Sequence, residues 1–299
     1  MISAISQPFV IIDGHSIVHR AYHALPVLTT KQGLLVNAVY GFFLIFLKAI
    51  KGLEPGFLAV AFDVPGPTFR HSEFADYKAN RKKTPDDLCR QIPEIKAVLQ
   101  AFGVKVFEKQ GFEADDIIGT IVKEAKKTEV KEIIILSSDT DFLQLVGDKV
   151  KVMIIKRGLS DIIIYDEKQV QQKYGGLKPS QLIDFKALKG DVSDNIPGVS
   201  GIGEKTAIKL ISDFGGLDNL YLRLKNKQDF SLVKPAVLNK LLHEEGKALL
   251  SRNLVKVKEN VDIDFELALC AWAGYDRPKV EDSFKNLGFV SLLSKLSDN

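Results

Sequence analysis

Two hydrophobic rhythms alternate along the first half of the chain. "FVIID" at 9–13, "FLAVAFD" at 57–63, "VKVF" at 104–107 and "EIIILSSDTD" at 132–141 are short apolar runs rich in β-formers, which predicts buried strands. Between them the period lengthens to that of a helix. In "QIPEIKAVLQAF" Ile92, Ile95, Val98, Leu99 and Phe102 share a face, as do Ile117, Ile118, Ile121, Val122 and Ala125 further on. Strands alternating with amphipathic helices predict an α/β fold, a mainly parallel sheet with helices on both faces.

After about residue 175 the β-rich runs stop. "KTAIKLISDF" places Ala207, Leu210, Ile211 and Phe214 at helical spacing, so a helical region is expected over 176–299, following an α/β core at 1–175. The stretch "GLLVNAVYGFFLIFLKAI" at 33–50 is apolar enough to imitate a membrane span. Asn37, two glycines and Lys48 interrupt it, and a buried core helix is expected instead. Cys89 and Cys270 lie far apart without metal-ligand spacing, and no secretory signal pattern precedes the first strand. A reducing, cytoplasmic setting is expected.

Open parallel sheets place ligands at the carboxyl ends of their strands, and there the polar residues are acids. Asp13, Asp63, Asp139 and Asp141 close three of the runs, and "GFEADD" brings Glu113, Asp115 and Asp116 in after the fourth. In "KGDVSDNIPGVSGIGEKTA" Asp191 and Asp194 stand three apart, on one turn. Any one of these acids has a plain explanation, as a turn residue or as a charge favoured at a helix N-terminus. Unrelated capping needs do not gather nine acids from five segments. Hard oxygen donors without histidine or thiolate suit Mg²⁺ or Mn²⁺, and nine candidates point to two ions clamping a phosphate.

The formal charge of +3 hides this segregation. With the nine set aside from the 38 acids, 41 basic residues face 29, so a basic body surrounds an acidic pit. That suits a polyanionic substrate. "FRHSEFADYKANRKK" at 69–83 mixes Arg70, Lys78, Arg81, Lys82 and Lys83 with Phe69, Phe74 and Tyr77, cations for phosphates and ring faces for bases. "GVSGIGEKT" fails both as a Walker motif and as a dinucleotide fingerprint. It fits a tight glycine hairpin between helices that offers backbone N–H groups to a phosphate. His15, His19 and His23 are too widely spaced along a helix, about 12 Å between the outer two, to share one ion. Arg20, on the same helix, is a candidate phosphate contact.

With these blocks in order, the chain resembles the 5′-nuclease domain of bacterial DNA polymerase I and the related flap endonucleases. "IIDGHSIVHRAYHAL", "FDVPGPTFRHSEFADYKANR", "GFEADDIIGT", "SSDTDFLQLV" and "GDVSDNIPGVSGIGEKTA" carry the likeness. It implies a PIN-like core, a helical arch inserted at about 66–93 and a helix-hairpin-helix motif at 198–206. It implies a metal-dependent 5′–3′ exonuclease and 5′-flap endonuclease acting in replication and repair. The substrate would be DNA with flaps, nicks or RNA primers, handled by a monomer with a polymerase fused or separate.

Carried over residue by residue, all nine acids are metal-site residues. Asp13, Asp63, Glu113 and Asp115 belong mainly to one ion and Asp139, Asp141 and Asp194 mainly to the other. Lys78 and Arg81 would reach the scissile phosphate, with Tyr77 beside them and Lys82 and Lys83 nearby. Arg20 and Arg70 would steer the 5′ strand. Gly198, Gly201, Gly203, Lys205 and Thr206 would grip the duplex, with K⁺ at the hairpin. Two alternatives stay open: a small PIN-type ribonuclease, which has no need of the helical region, and a DNA-binding scaffold, which has no need of the acids.

Overall fold

The computed structural model describes residues 6–226 and 233–296. Six strands form one sheet: β1 (Phe9–Asp13), β2 (Phe57–Ala61), β3 (Lys105–Phe107), β4 (Ile133–Ser137), β5 (Val150–Arg157) and β6 (Asp161–Tyr165). Their order is β3-β2-β1-β4-β5-β6. The neighbours from β3 across to β5 run parallel, and β5 and β6 form an antiparallel hairpin at one edge. This hairpin lies outside the runs singled out by pattern. Because β2 and β3 extend the sheet to one side of β1 while β4 lies on the other, the connections diverge at the carboxyl ends of β1 and β4. Such a divergence opens a crevice for a ligand.

Successive side chains of a strand point to opposite faces, so the chain builds two cores. Phe9, Ile11, Ala59, Ile133 and Ile135 face one way, and Val10, Ile12, Leu58, Val60 and Leu136 the other. Over the second face lie α1 (Gly14–Ala24), α2 (Asn37–Leu53) and, beyond the short α3 (Phe69–Glu73) and α4 (Asp86–Cys89), α5 (Ile92–Ala101). The apolar stretch expected to be a core helix is α2, and its Phe42, Phe43 and Phe46 are buried. Among the described residues, no helix is long and apolar enough to cross a membrane. The segment at 66–93, expected to form a helical arch, has helical turns at α3 and α4, with turns and bends between them.

The first face is covered by α6 (Ala114–Lys126) and by the helical region. The helices on this face are α7 (Glu167–Lys173), at the end of the α/β core, and, from the helical region, α8 (Leu182–Lys189), α9 (Glu204–Phe214), α10 (Leu217–Lys225), α11 (Pro235–His243) and α12 (Glu245–Val255). Phe185, Leu188, Leu210 and Leu220 belong to the same core as Ile117 and Ile121 of α6. After α12 the chain crosses α6 in extended form. Gly119 permits the crossing: a Cβ there would meet the Val257 side chain and would stand 2.8 Å from the Lys258 carbonyl oxygen.

The chain then reaches the opposite face, where α13 (Arg277–Asn286) and α14 (Val290–Leu293) pack against α2 and α5. Phe284 of α13 is fully buried, with ring centroids 5.6 Å from Phe43 and 5.9 Å from Phe102. Phe284→Ala should therefore cost about 3–5 kcal/mol, read from urea unfolding. A loss below about 1 kcal/mol would mean that α13 is not part of this core.

Candidate active site

Every strand that the pattern identified ends in a turn that delivers an acid to the same edge. Asp13 is the last residue of β1 and caps α1, its Oδ1 accepting from Ser16 N–H at 3.1 Å. Its Oδ2 accepts from the Ser137 hydroxyl at 2.7 Å, which ties β1 to the end of β4. Asp63 follows β2 and accepts from Ala114 N–H at 2.6 Å, the first amide of α6. After β4 the strand does not continue. Asp139 instead accepts from Asp141 N–H at 2.9 Å, so the two acids share a side chain-to-backbone turn rather than a strand face.

Crowding shows in the acidities. Burial pushes Asp13 up to about 6, with repulsion from Asp63 adding to it against the serine hydrogen bonds. Burial and repulsion from Asp13, Asp139 and Glu113 raise Asp115 well above the ordinary aspartate value. Burial and repulsion from Asp139 push Asp141 up to about 6 even though Lys186 opposes them. Each of these carboxyls would be stabilised as an anion by more positive charge.

Basic side chains already supply part of it. Lys78 Nζ donates to Glu113 Oε1 at 2.6 Å and lies 3.9 Å from Asp194 Oδ2, while Arg81 is paired with Asp194. The Tyr77 hydroxyl donates to Glu113 at 3.1 Å and to Asp194 at 3.3 Å. For Glu113, burial works upward, but Lys78 and Arg70 more than reverse it and leave its pKa lowered. Lys186, on α8, pairs with Asp141 and donates to Asp191 Oδ2 at 2.7 Å. The segment around residues 77–81 thus lies against the acids. Lys78 takes a left-handed backbone (φ 57°), which costs about 1–2 kcal/mol for a residue with a Cβ, and its N–H donates to the Asp194 carbonyl at 2.9 Å.

The turn at 191–196 does not aim its two acids together. Asp191 faces Lys186 and Asp141, whereas Asp194 faces Tyr77, Lys78, Arg81 and, through them, Glu113. In this arrangement Asp194 therefore groups with Glu113 rather than with Asp139 and Asp141.

Two expected roles need correction. Asp116 is fully buried, and its carboxylate is saturated. Oδ1 accepts from Arg70 Nη2 at 2.8 Å and from Lys258 N–H at 2.8 Å, and Oδ2 from Arg70 Nη1 at 2.7 Å and from Glu113 N–H at 3.2 Å. With its acceptor positions filled, it has none left for a metal. Arg70 is 2% exposed and also donates to the Leu254 and Lys256 carbonyls. It is an internal tie rather than a guide for a passing strand. Tyr77, at 3% exposed, likewise sits inside the acid cluster.

Other candidates face outward. Lys82, Lys83, Gly201, Gly203 and Lys205 are exposed and Thr206 is half-buried, with Gly203 capping α9. Gly198 is buried in the left-handed region (φ 61°), and a Cβ there would collide with the Gly190 backbone. Its N–H donates to the Ser251 hydroxyl, and Ser200 N–H to Glu244 at 2.9 Å, so two hairpin amides are satisfied internally. The buried Nε of Arg20 has no hydrogen-bond partner among the described residues. Rings of His15 and His19 lie 4.9 Å apart, and burial with the flanking histidines pulls His19 down to about 4.

The donor chemistry fits a hard divalent cation: carboxylates that repel one another, with no thiolate among them. As the side chains lie, no three acidic, histidine or cysteine groups among the described residues close around one point. Lys78, Arg81 and Lys186 are paired with carboxylates that an ion would draw together. Lys186 and Gln144 are missed by sequence reasoning. The available signal for Lys186 was its place on a helix five residues before Asp191.

Two family models match the chain. Residues 8–175 match "5'-3' exonuclease, N-terminal resolvase-like domain" and residues 177–278 match "5'-3' exonuclease, C-terminal SAM fold". The chain belongs to the 5′-3′ exonuclease family. Among curated relatives of this family chain, DNA polymerase I of Bacillus subtilis is 41% identical across 98% of it, and that of Bacillus caldotenax 41% across 97%. The chain spans about a third of the length of these relatives, 32% in both.

Solved structures share the fold. A bacteriophage T5 flap endonuclease complex with DNA and metal ions aligns with a TM-score of 0.69 at 19% identity, covering 97% of this chain and 96% of that one. The catalytic core of Rad2 in complex with DNA substrate aligns at 0.62 and 18%, covering 97% and 91%.

The raised carboxyls give a signed expectation for this 5′-3′ exonuclease chain. Asp13 and Asp141 move from 3.8 to about 6, so their contribution to folding is complete below about pH 4 and lost as pH rises through about 6. Urea unfolding in a chelator should show this loss. Mg²⁺ should stabilise the protein at pH 7 and hardly at pH 4.5, because the ion must displace protons there. Equal stabilisation at both would contradict a carboxylate site.

Proposed function

We propose that this chain is a metal-dependent 5′ nuclease, a 5′–3′ exonuclease and 5′-flap endonuclease for DNA bearing flaps, nicks or RNA primers, serving replication and repair. The observation that supports this most is the delivery of mutually repelling acids to one crevice from the ends of β1, β2, β3 and β4, beside a basic segment already paired to them. Family membership supplies the reaction class, and the T5 complex with DNA and metal ions supports the choice of cofactor and substrate.

Asp13, Asp63, Glu113, Asp115, Asp139, Asp141, Asp191 and Asp194 are the proposed holders of two Mg²⁺ ions, with Mn²⁺ able to substitute. When bound, such ions ease deprotonation of the attacking water and draw charge from the phosphate. The chain's own residues supply the rest. Lys78 and Arg81, released from Glu113 and Asp194, pair with the phosphate oxygens as charge builds on them. Hydrolysis then leaves a 5′-phosphate and a 3′-hydroxyl.

Arg20, with its unpartnered Nε, and the exposed Lys82 and Lys83 are proposed contacts for the 5′ strand. Gly201, Gly203, Lys205 and Thr206, at the start of α9, are proposed to hold the duplex backbone, with K⁺ at the hairpin. Action as a monomer, cytoplasmic, with a polymerase fused or separate completes the proposal.

Asp139→Asn and Lys78→Ala should each abolish Mg²⁺-dependent cleavage of a 5′-flapped duplex while leaving binding in place. Normal turnover by either variant would refute the assignment. Comparing a 5′ flap, a nicked duplex and single-stranded RNA, with a chelator control, should give cleavage of the first two only. Preference for the RNA would favour a PIN-type ribonuclease.

A further inference from the structure

One extended segment touches the mountings of both groups of acids. The end of α12 and the residues after it, 254–261, run across α6 next to Gly119. On one side Asp116, at the start of α6, accepts from Lys258 N–H, and Arg70 donates to the Leu254 and Lys256 carbonyls while gripping Asp116 with both terminal nitrogens. Thr120 extends this contact, its hydroxyl donating to the Asp116 carbonyl at 2.8 Å and accepting from Val261 N–H at 3.0 Å. On the other side stands Gln144, in the single-turn helix Asp141–Leu145. Its Nε2 donates to the Val255 carbonyl at 3.2 Å and to the Asp141 carbonyl at 2.9 Å, and its Oε1 accepts from Val257 N–H at 3.0 Å.

We propose that residues 254–261 form a brace, held by Arg70, Asp116 and Gln144, that sets the separation between the Glu113–Asp115 carboxylates and the Asp139–Asp141 carboxylates. The inference rests on the nuclease reading above. Glu113 and Asp115 flank the first residue of α6, and Asp116 locks that turn by accepting from both Glu113 N–H and the brace. Asp141 begins the turn that Gln144 locks to the same brace. The brace thus fixes two backbone mountings relative to each other, and the acids inherit that spacing. Asp116, Arg70 and Gln144 are positioning residues. They meet neither phosphate nor ion, and an ion pair as buried as Arg70–Asp116 keeps its geometry because breaking it strands a charge.

The test uses the full chain with Asp116→Asn, Gln144→Ala, the double variant, and Asp115→Asn as a ligand control. Bound Mn²⁺ is counted from the free-ion electron spin resonance signal, the spin coupling between bound ions is recorded, and kcat and KM are measured on a 5′-flapped duplex. Asp116→Asn and Gln144→Ala should each keep the wild-type Mn²⁺ stoichiometry, change the Mn²⁺–Mn²⁺ coupling and lower kcat by about 10–100-fold with KM little changed. The double variant should lose less than the product of the two factors. Asp115→Asn should lose a bound ion.

Loss of an ion in Asp116→Asn would make it a ligand and overturn the proposal, as would unchanged coupling and kcat in Gln144→Ala. Because Gln144 is half-buried and uncharged, its variant keeps the test decisive if Asp116→Asn does not fold. A wild-type chain that binds no Mn²⁺ and cuts nothing would refute the nuclease reading itself. Wild-type turnover with unaffected variants would refute the brace alone.

Discussion

Like charge gathered in one crevice is the constraint to which the rest of the site answers. Two carboxylates about 4 Å apart repel by roughly 4 kcal/mol at an effective dielectric of 20, and here the repulsion is spread over acids from five segments. The chain meets it with hydrogen bonds from Ser16, Ser137 and the first amide of α6, and with Lys78, Arg81, Lys186 and Arg70. What these leave uncompensated appears as raised pKa values, that is weakened acidities, at Asp13, Asp115 and Asp141. The fold can hold such a cluster because seven of the acids stand on or just after strands of a sheet buried on both faces, and Asp191 and Asp194 on the turn after α8.

That architecture was legible along the chain wherever one rule governed a stretch. The runs at 9–13, 57–61 and 133–137 are fully buried strands, the run at 105–107 is a half-buried edge strand, and the acids that close them follow the strand ends. The hairpin of β5 and β6 escaped because its outer strand is partly exposed, and attention to fully apolar runs passes over it. Asp139 and Asp141 stand after β4 on a turn, and the hydrogen bond from Asp141 N–H to the Asp139 carboxylate brings them together.

Failures cluster where an acid's partner is distant in sequence. Asp116 looks like its neighbour Asp115 until Arg70, 46 residues away, and Lys258, 142 residues away, are seen to fill its oxygens. Arg70 looks like the other cations of its basic segment, yet it alone among the five is buried. Lys186 lies outside the matching blocks and Gln144 sits inside one without a charge to single it out, since their importance lies in what the helical region brings against the sheet. Local pattern reports where a charge sits on its own element. Whether that charge is spent inside the molecule is decided by packing between elements.

The basic residues folded into the acids also determine what an approaching polyanion meets. Nine acids and four cations, Arg70, Lys78, Arg81 and Lys186, give the crevice a formal balance of −5. Two divalent ions would bring it to −1. A phosphate chain drawn in by the basic exterior would therefore be repelled far less by a loaded crevice than by an unloaded one. The cluster would act as an order-keeping electrostatic gate, with metal entering before nucleic acid.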